Sequence, residues 1–163
     1  MKTRVRYLIF MVFFILTPIL LLCRQTSADK IKNESIVFLS DRERSNRRFD
    51  IFLYQLDSRQ IINLTRGIDS LVIQSNSSPQ ISRSRNSIFF LSFTPRQLIE
   101  FNLGTKKFTK ITDIHYESSI FLLSPDENSV IYIDKFKEKL QIFRIELESG
   151  KKLNLSNNAY NNF

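Results

Sequence analysis

The 163-residue chain carries 24 Lys and Arg against 16 Asp and Glu, a formal charge of +8, with 42% apolar and 25% charged residues. This is the balance of an ordinary globular chain of about one domain, not of a disordered or collagen-like one. A single Cys (Cys23) excludes a disulfide framework, a CxxC redox pair and a thiolate zinc site, and a single His (His115) leaves no partner for a clustered-histidine metal site.

The N-terminus has the parts of an export signal. Lys2, Arg4 and Arg6 precede an almost unbroken apolar run from Tyr7 to Leu22, and Thr26, Ser27 and Ala28 supply small residues beyond it. Three readings stand side by side: a cleaved signal over residues 1–28, an uncleaved anchor over residues 7–23, or a lipoprotein processed at Cys23. The last is opposed by Leu22, where something small is needed. All three place residues 29–163 outside the cytoplasmic membrane, periplasmic or otherwise exported. Cleavage after Ala28 removes Lys2, Arg4, Arg6 and Arg24 and leaves a charge of +4.

From Ser35 onward the chain is short apolar runs separated by polar turns, with no helical period. Three runs share one place in three successive units: Ile36 to Leu39, Ile88 to Leu91 and Val130 to Ile133. Each is followed by a second strand ending in Leu56, Leu103 or Leu147, a tight turn, and a third strand ending in Thr65, Thr112 or Ser156. The separation from that Leu to the hydroxyl residue is nine in every unit. Leading strands are predicted before the second unit (Ser78 to Ser82) and the third (Ser119 to Ser124). The units run over about residues 35–66, 78–112 and 118–156. A four-stranded repeat of about 40–50 residues is the blade of a β-propeller, whose small sheets bury both faces only by stacking.

The residues that define the blade also resemble a known repeat. Ser40-Asp41-Arg42, then Asp50-Ile51-Phe52, Asn63-Leu64-Thr65 and Ser78-Pro79-Gln80-Ile81-Ser82 are similar to the repeat of TolB-type propellers, and Ser124-Pro125-Asp126 matches its last element. Glu127 stands where that repeat has a turn Gly, and the turn from Arg83 to Asn86 lacks its Pro-Asp-Gly pattern. The resemblance covers about residues 35–156 and implies an all-β, propeller-like fold of about three blades. It further implies a periplasmic location and a Tol-type envelope association through protein contacts. Complete propellers have at least about four blades. Three therefore make an open arc whose end faces pair with a second copy, receive a partner, or stay exposed in a shortened, marginally stable descendant.

For function, the residues support binding over catalysis. Asp41, Arg42 and Asp50 fit turn chemistry and Arg–carboxylate bonds between blades. His115 lies near Asp113, Tyr116 and Glu117 without a nucleophile motif. No acidic run has calcium-loop spacing, no nucleic-acid motif is present, and two of the four glycosylation sequons (Asn63, Asn154) are the blade-ending N-L-[ST] pattern. The expectation is a non-enzymatic scaffold with no cofactor, catalytic residue or metal site. The basic loop bearing Arg42, Arg44, Arg47 and Arg48 would contact an envelope protein or an anionic glycan. The alternative is a glycan-binding or glycan-hydrolysing propeller fragment, since carboxylates are plentiful although no spacing singles out a pair.

Overall fold

The computed structural model describes residues 34–43, 48–73, 75, 77–117 and 120–156. The expected signal or anchor over residues 1–28 lies outside them, as do Arg44 and Arg47. No helix among the described residues is long and apolar enough to cross a membrane.

Among the described residues twelve strands form three antiparallel sheets. The first contains β1 (Ser35–Ser40), β2 (Asp50–Gln55) and β3 (Gln60–Asn63), in that order. The second contains β4 (Val72–Ile73), β5 (Gln80–Ser82), β6 (Ser87–Thr94), β7 (Arg96–Asn102) and β8 (Lys107–Asp113). The third contains β9 (Phe121–Leu123), β10 (Ser129–Phe136), β11 (Lys139–Glu146) and β12 (Lys152–Asn154). The open all-β arrangement agrees with the sequence. One difference is in the second sheet, whose outer position is shared: β5 pairs with Ser87 to Phe89, and β4 pairs with Ser92 and Thr94 further along β6. A two-residue strand such as β4 has no period by which sequence reveals it.

Side-chain alternation explains the stacking. In the middle sheet Ile88, Phe90, Ile99 and Phe101 face the first sheet and join Ile51 and Leu53 in one core. Phe89, Leu91 and Leu98 face the third sheet and join Val130, Tyr132, Phe143 and Ile145 in another. Six successive residues of β6 are consequently buried, and each fully buried Ile, Leu or Phe contributes about 1.5–3 kcal/mol.

The nine-residue spacing has a structural cause. The Thr65 hydroxyl accepts the Ile51 amide at 3.0 Å and donates to the buried Asp50 carboxylate at 3.0 Å, while the Asn63 side-chain oxygen accepts the Thr65 amide. Ser156 repeats this with the Ile142 amide at 2.9 Å, Gln141 at 3.0 Å and Asn154. Each hydroxyl thus seals the place where the third strand leaves the second. In the middle unit Lys110 replaces the Asn, the pairing of β7 and β8 slips between Leu98 and Ile99, and the Thr112 hydroxyl donates instead to the Asp113 carbonyl.

Polar contacts then lock the second sheet to the third. The Gln80 amide donates to the Phe121 carbonyl at 2.9 Å and accepts the Leu123 amide at 2.8 Å, acting as one more strand beside β9. Glu127 accepts hydrogen bonds from the Ser82 hydroxyl (2.9 Å), the Arg83 amide (3.3 Å), and the Ser84 amide (2.8 Å) and hydroxyl (2.5 Å). Burial raises the Glu127 pKa, but the Ser84 hydroxyl and amide, the Ser82 hydroxyl and the Arg83 amide outweigh it and bring the value down from 4.5 to about 2. The replaced turn glycine has therefore become a tether.

All five turns on one rim of the sheets, and the β10–β11 turn on the other, use left-handed backbone at non-Gly residues or at Gly150. On the first rim these are Arg59, Asn86, Lys106, Glu127 and Gly150. Arg59, Lys106 and Gly150 occupy equivalent repeat positions, with φ of 52°, 56° and 67°. A side chain is disfavoured there by about 1 kcal/mol relative to Gly.

Two predictions follow from this geometry. Replacing Arg59 or Lys106 with Gly is expected to stabilise the protein by about 0.5–1 kcal/mol each in urea unfolding, because the third unit already accepts Gly there. Glu127→Gln is expected to cost about 1 kcal/mol at neutral pH. Because the folded pKa is depressed, the parent's advantage is complete above 4.5 and lost as pH falls toward about 2. Unfolding curves of parent and variant across that window should therefore converge on acidification.

Candidate functional site

The two rims of the sheets differ. One is formed by the five short turns described above. The other carries the longer connections, among them the β1–β2 segment, residues 41–49. The equivalent β6–β7 and β10–β11 connections are tight turns at Pro95 and at Lys137-Glu138. A loop of this length, where its equivalents are turns, is a place for recognition carried by a rigid scaffold.

Both ends of the loop are fastened. Arg42 lies over the Phe52 ring at 4.6 Å and the Phe38 ring at 5.3 Å, and those two rings stack at 5.6 Å. Its Nε and its backbone amide donate to the Ser40 hydroxyl. Glu43 accepts Asn63 Nδ2 at 2.9 Å and the Arg66 guanidinium at 3.1 and 2.8 Å, and these bonds, Asn63 first, hold its carboxyl below the usual range. Asn63 also donates to Asp50, joining the loop to the seal at Thr65. At the far end Phe49 bridges to Ile73 of β4, beside a half-buried Arg48.

Of the four arginines singled out by the sequence, Arg42 is thus a ring-stacking residue at the loop base and Arg48 adjoins the bridge to the second sheet. The sequence assigned Arg42 to carboxylate bonds between blades. Its described partners are instead Phe38, Phe52 and Ser40 of its own sheet, while Glu127 and Gln80 make the tethers between sheets.

The same rim holds a contact that the sequence did not reveal. Asp134, buried in β10, accepts the amides of His115 (2.7 Å), Tyr116 (2.9 Å) and Lys135 (2.8 Å) and faces His115 Nδ1 at 2.9 Å. This carboxylate fastens the linker between the second and third units. Histidine and aspartate lie 19 residues apart, and no motif marks the pair.

On the opposite rim an open cleft of about 580 Å³ is lined by Arg85, Asp126, Asn128, Arg144, Glu146 and Glu148. Arg85 is committed to the buried Glu100 through two bonds of 3.0 and 3.2 Å. Hydrogen bonds from the Ser124 hydroxyl and the Asn128 amide keep Asp126 ionised below its ordinary range. Among the described residues no three His, Cys, Asp or Glu side chains are grouped to hold a metal ion.

Three small antiparallel sheets packed face against face, the first and third sealed by an equivalent hydroxyl, make this an open arc of TolB-like β-propeller blades. The sequence matches no protein-family model and no curated protein. Among solved structures the chain is similar to TolB from Acinetobacter baumannii, with a TM-score of 0.60 and 20% identity over 74% of this chain and 29% of TolB. It is also similar to an oligogalacturonate lyase in complex with manganese, with a TM-score of 0.55 and 14% identity over 74% of this chain and 36% of the lyase. The chain therefore spans about a third of the length of these structures, and the likeness is one of fold.

Removing the Arg42 cover should be measurable. Arg42→Ala is expected to lower stability by about 0.5–1 kcal/mol in urea unfolding, the usual range for an exposed cation–π contact, whereas Arg48→Gln should leave the Phe38–Phe52 stack unchanged.

Proposed function

We propose that this chain is a non-enzymatic, exported β-propeller module that binds a protein of the cell envelope through the rim bearing the β1–β2 loop. The observation that carries this reading is the loop itself: residues 41–49 occupy a position that is a tight turn in both other sheets, and they are fastened at Arg42, Glu43 and Phe49. A basic segment carried on a rigid rim attracts an acidic surface. The apolar N-terminal run and the likeness to TolB support an envelope setting. Arg44, Arg47 and Arg48 are the contact residues in this reading, with Arg42 fixing the loop base and offering its exposed edge.

A second reading has its own support. The likeness to a lyase, together with the cleft lined by Arg144, Asp126, Glu146 and Glu148, fits a glycan-binding or glycan-cleaving fragment. One experiment separates the two. After mild crosslinking of intact envelopes, capture of the chain should recover a protein partner, and neutralising Arg44, Arg47 and Arg48 together should reduce its recovery about tenfold or more. Undiminished recovery would remove the loop from the interface. Release of reducing or unsaturated ends from acidic polysaccharide, abolished by Glu146→Gln or Glu148→Gln, would establish the second reading instead.

A further inference from the structure

We propose that β1 offers its outer edge to an extended segment of a partner protein, which joins the first sheet as an antiparallel strand. β6 and β10 lie inside their sheets, with β5 or β9 on the side away from β7 or β11. β1, their equivalent, ends its sheet. In an antiparallel pair only alternate residues exchange both backbone bonds with the neighbouring strand. The Leu56 amide donates to the Glu34 carbonyl, so Ile36, Phe38 and Ser40 bond to β2, and Val37 and Leu39 turn their backbone groups outward. The equivalent groups are satisfied in both other sheets. Phe89 pairs with Gln80, and Ile131 with Leu122. The Leu91 amide donates to the Ser77 hydroxyl at 2.9 Å, and the Ile133 amide to the Ile120 carbonyl at 3.1 Å. Among the described residues nothing plays this part for Val37 and Leu39.

The composition of this edge points the same way. Exposed edge strands ordinarily carry charges or Pro, which keep other chains from pairing with them. The outer strands β8 and β12 do so, with Lys107, Lys110 and Lys152. β1 reads Ser-Ile-Val-Phe-Leu-Ser, six residues without charge or Pro and rich in side chains that favour strands. Ile36 within it is 53% exposed. Outward backbone groups on an uncharged, apolar strand are the template for strand addition.

The edges already occupied describe the segment that fits. It runs antiparallel to β1, as β5 and β9 run to β6 and β10. Opposite Ile36 and Phe38 it carries apolar side chains, as Leu123 and Phe121 stand opposite Val130 and Tyr132. Between them, opposite Val37, its side chain faces the second sheet. Gln80 holds that place in the second sheet, where its amide bonds the Phe121 carbonyl and the Leu123 amide of β9. By the same spacing, a Gln of the incoming segment meets the Pro79 carbonyl and the Ile81 amide, on the side of β5 turned away from β6. The segment recognised is therefore an extended apolar-Gln-apolar stretch. This contact uses a strand edge and leaves the β1–β2 loop untouched, so it stands or falls separately from the rim contact proposed above.

The test uses the full chain in a mild non-ionic detergent and the peptide Ile-Phe-Gln-Leu-Ser, which is the 120–124 segment with Leu122→Gln. Hydrogen exchange is read amide by amide by NMR. In the chain alone, Val37 and Leu39 should exchange about tenfold or more faster than Phe89, Leu91, Ile131 and Ile133. Saturating peptide should slow Val37 and Leu39 about tenfold or more and leave the other four unchanged. Methylating the backbone nitrogen of the peptide's Gln removes the donor to Val37 and should weaken binding about tenfold or more. Replacing that Gln by Ala should weaken it about fivefold, and neither change touches the fold of the protein. Slow exchange at Val37 and Leu39 in the chain alone would overturn the proposal. It would put the chain's own N-terminal residues on the edge or, where protection grows with concentration, a second copy. A peptide without effect, or an N-methylated peptide that binds as well as its parent, would overturn it equally.

Discussion

The middle sheet is buried on both faces, and the arc exists because of it. A sheet of three to five short strands has too little interior of its own. Here Phe89 and Phe90, adjacent in sequence, belong to two different cores. A polar substitution at either position would damage one core while leaving its neighbour's packing in place, so the two cores are separable in chemistry although one strand builds both. Exposed side chains gather on the outer strands β8 and β12 and at Ile36 of β1, while β6 is closed to water along six successive residues.

Polar groups specify where apolar contact alone would allow sliding. The hydroxyls of Thr65 and Ser156 fix the third strand of their sheets, and Asp134 fixes the linker between units. Gln80 and Glu127 fix one sheet on the next. These acceptors meet backbone amides, so they set register as well as adhesion. A slip by one residue would reverse every side chain of a strand and exchange its two cores.

Much of this was legible in the sequence. The constant separation of Leu56, Leu103 and Leu147 from their hydroxyl residues marked the unit, because the seal it encodes is local. The chain has only three Gly, so most of its left-handed turn positions fall on other residues. Contacts between units were illegible. Glu127 read as a departure from the repeat because its partners, Ser82 to Ser84, lie more than 40 residues earlier. His115 read as a loop residue among Asp113, Tyr116 and Glu117 because Asp134 is brought beside it only by folding. Arg42 read as an ion-pairing residue, since stacking on Phe52 requires knowing that β1 and β2 are neighbours.

The two rims have different freedom to vary in length. Five turns on one rim are held to fixed torsions and to registers on both sides, so an added residue there would shift a whole strand. The β1–β2 segment already departs from its equivalents while its flanks stay clamped by the Phe38–Phe52 stack, the Glu43–Arg66 pair and the Phe49–Ile73 bridge. Foreign peptides spliced between Glu43 and Arg48 would thus be displayed on a frame indifferent to their composition, which makes this segment the natural port for tags, epitopes or selected binding sequences.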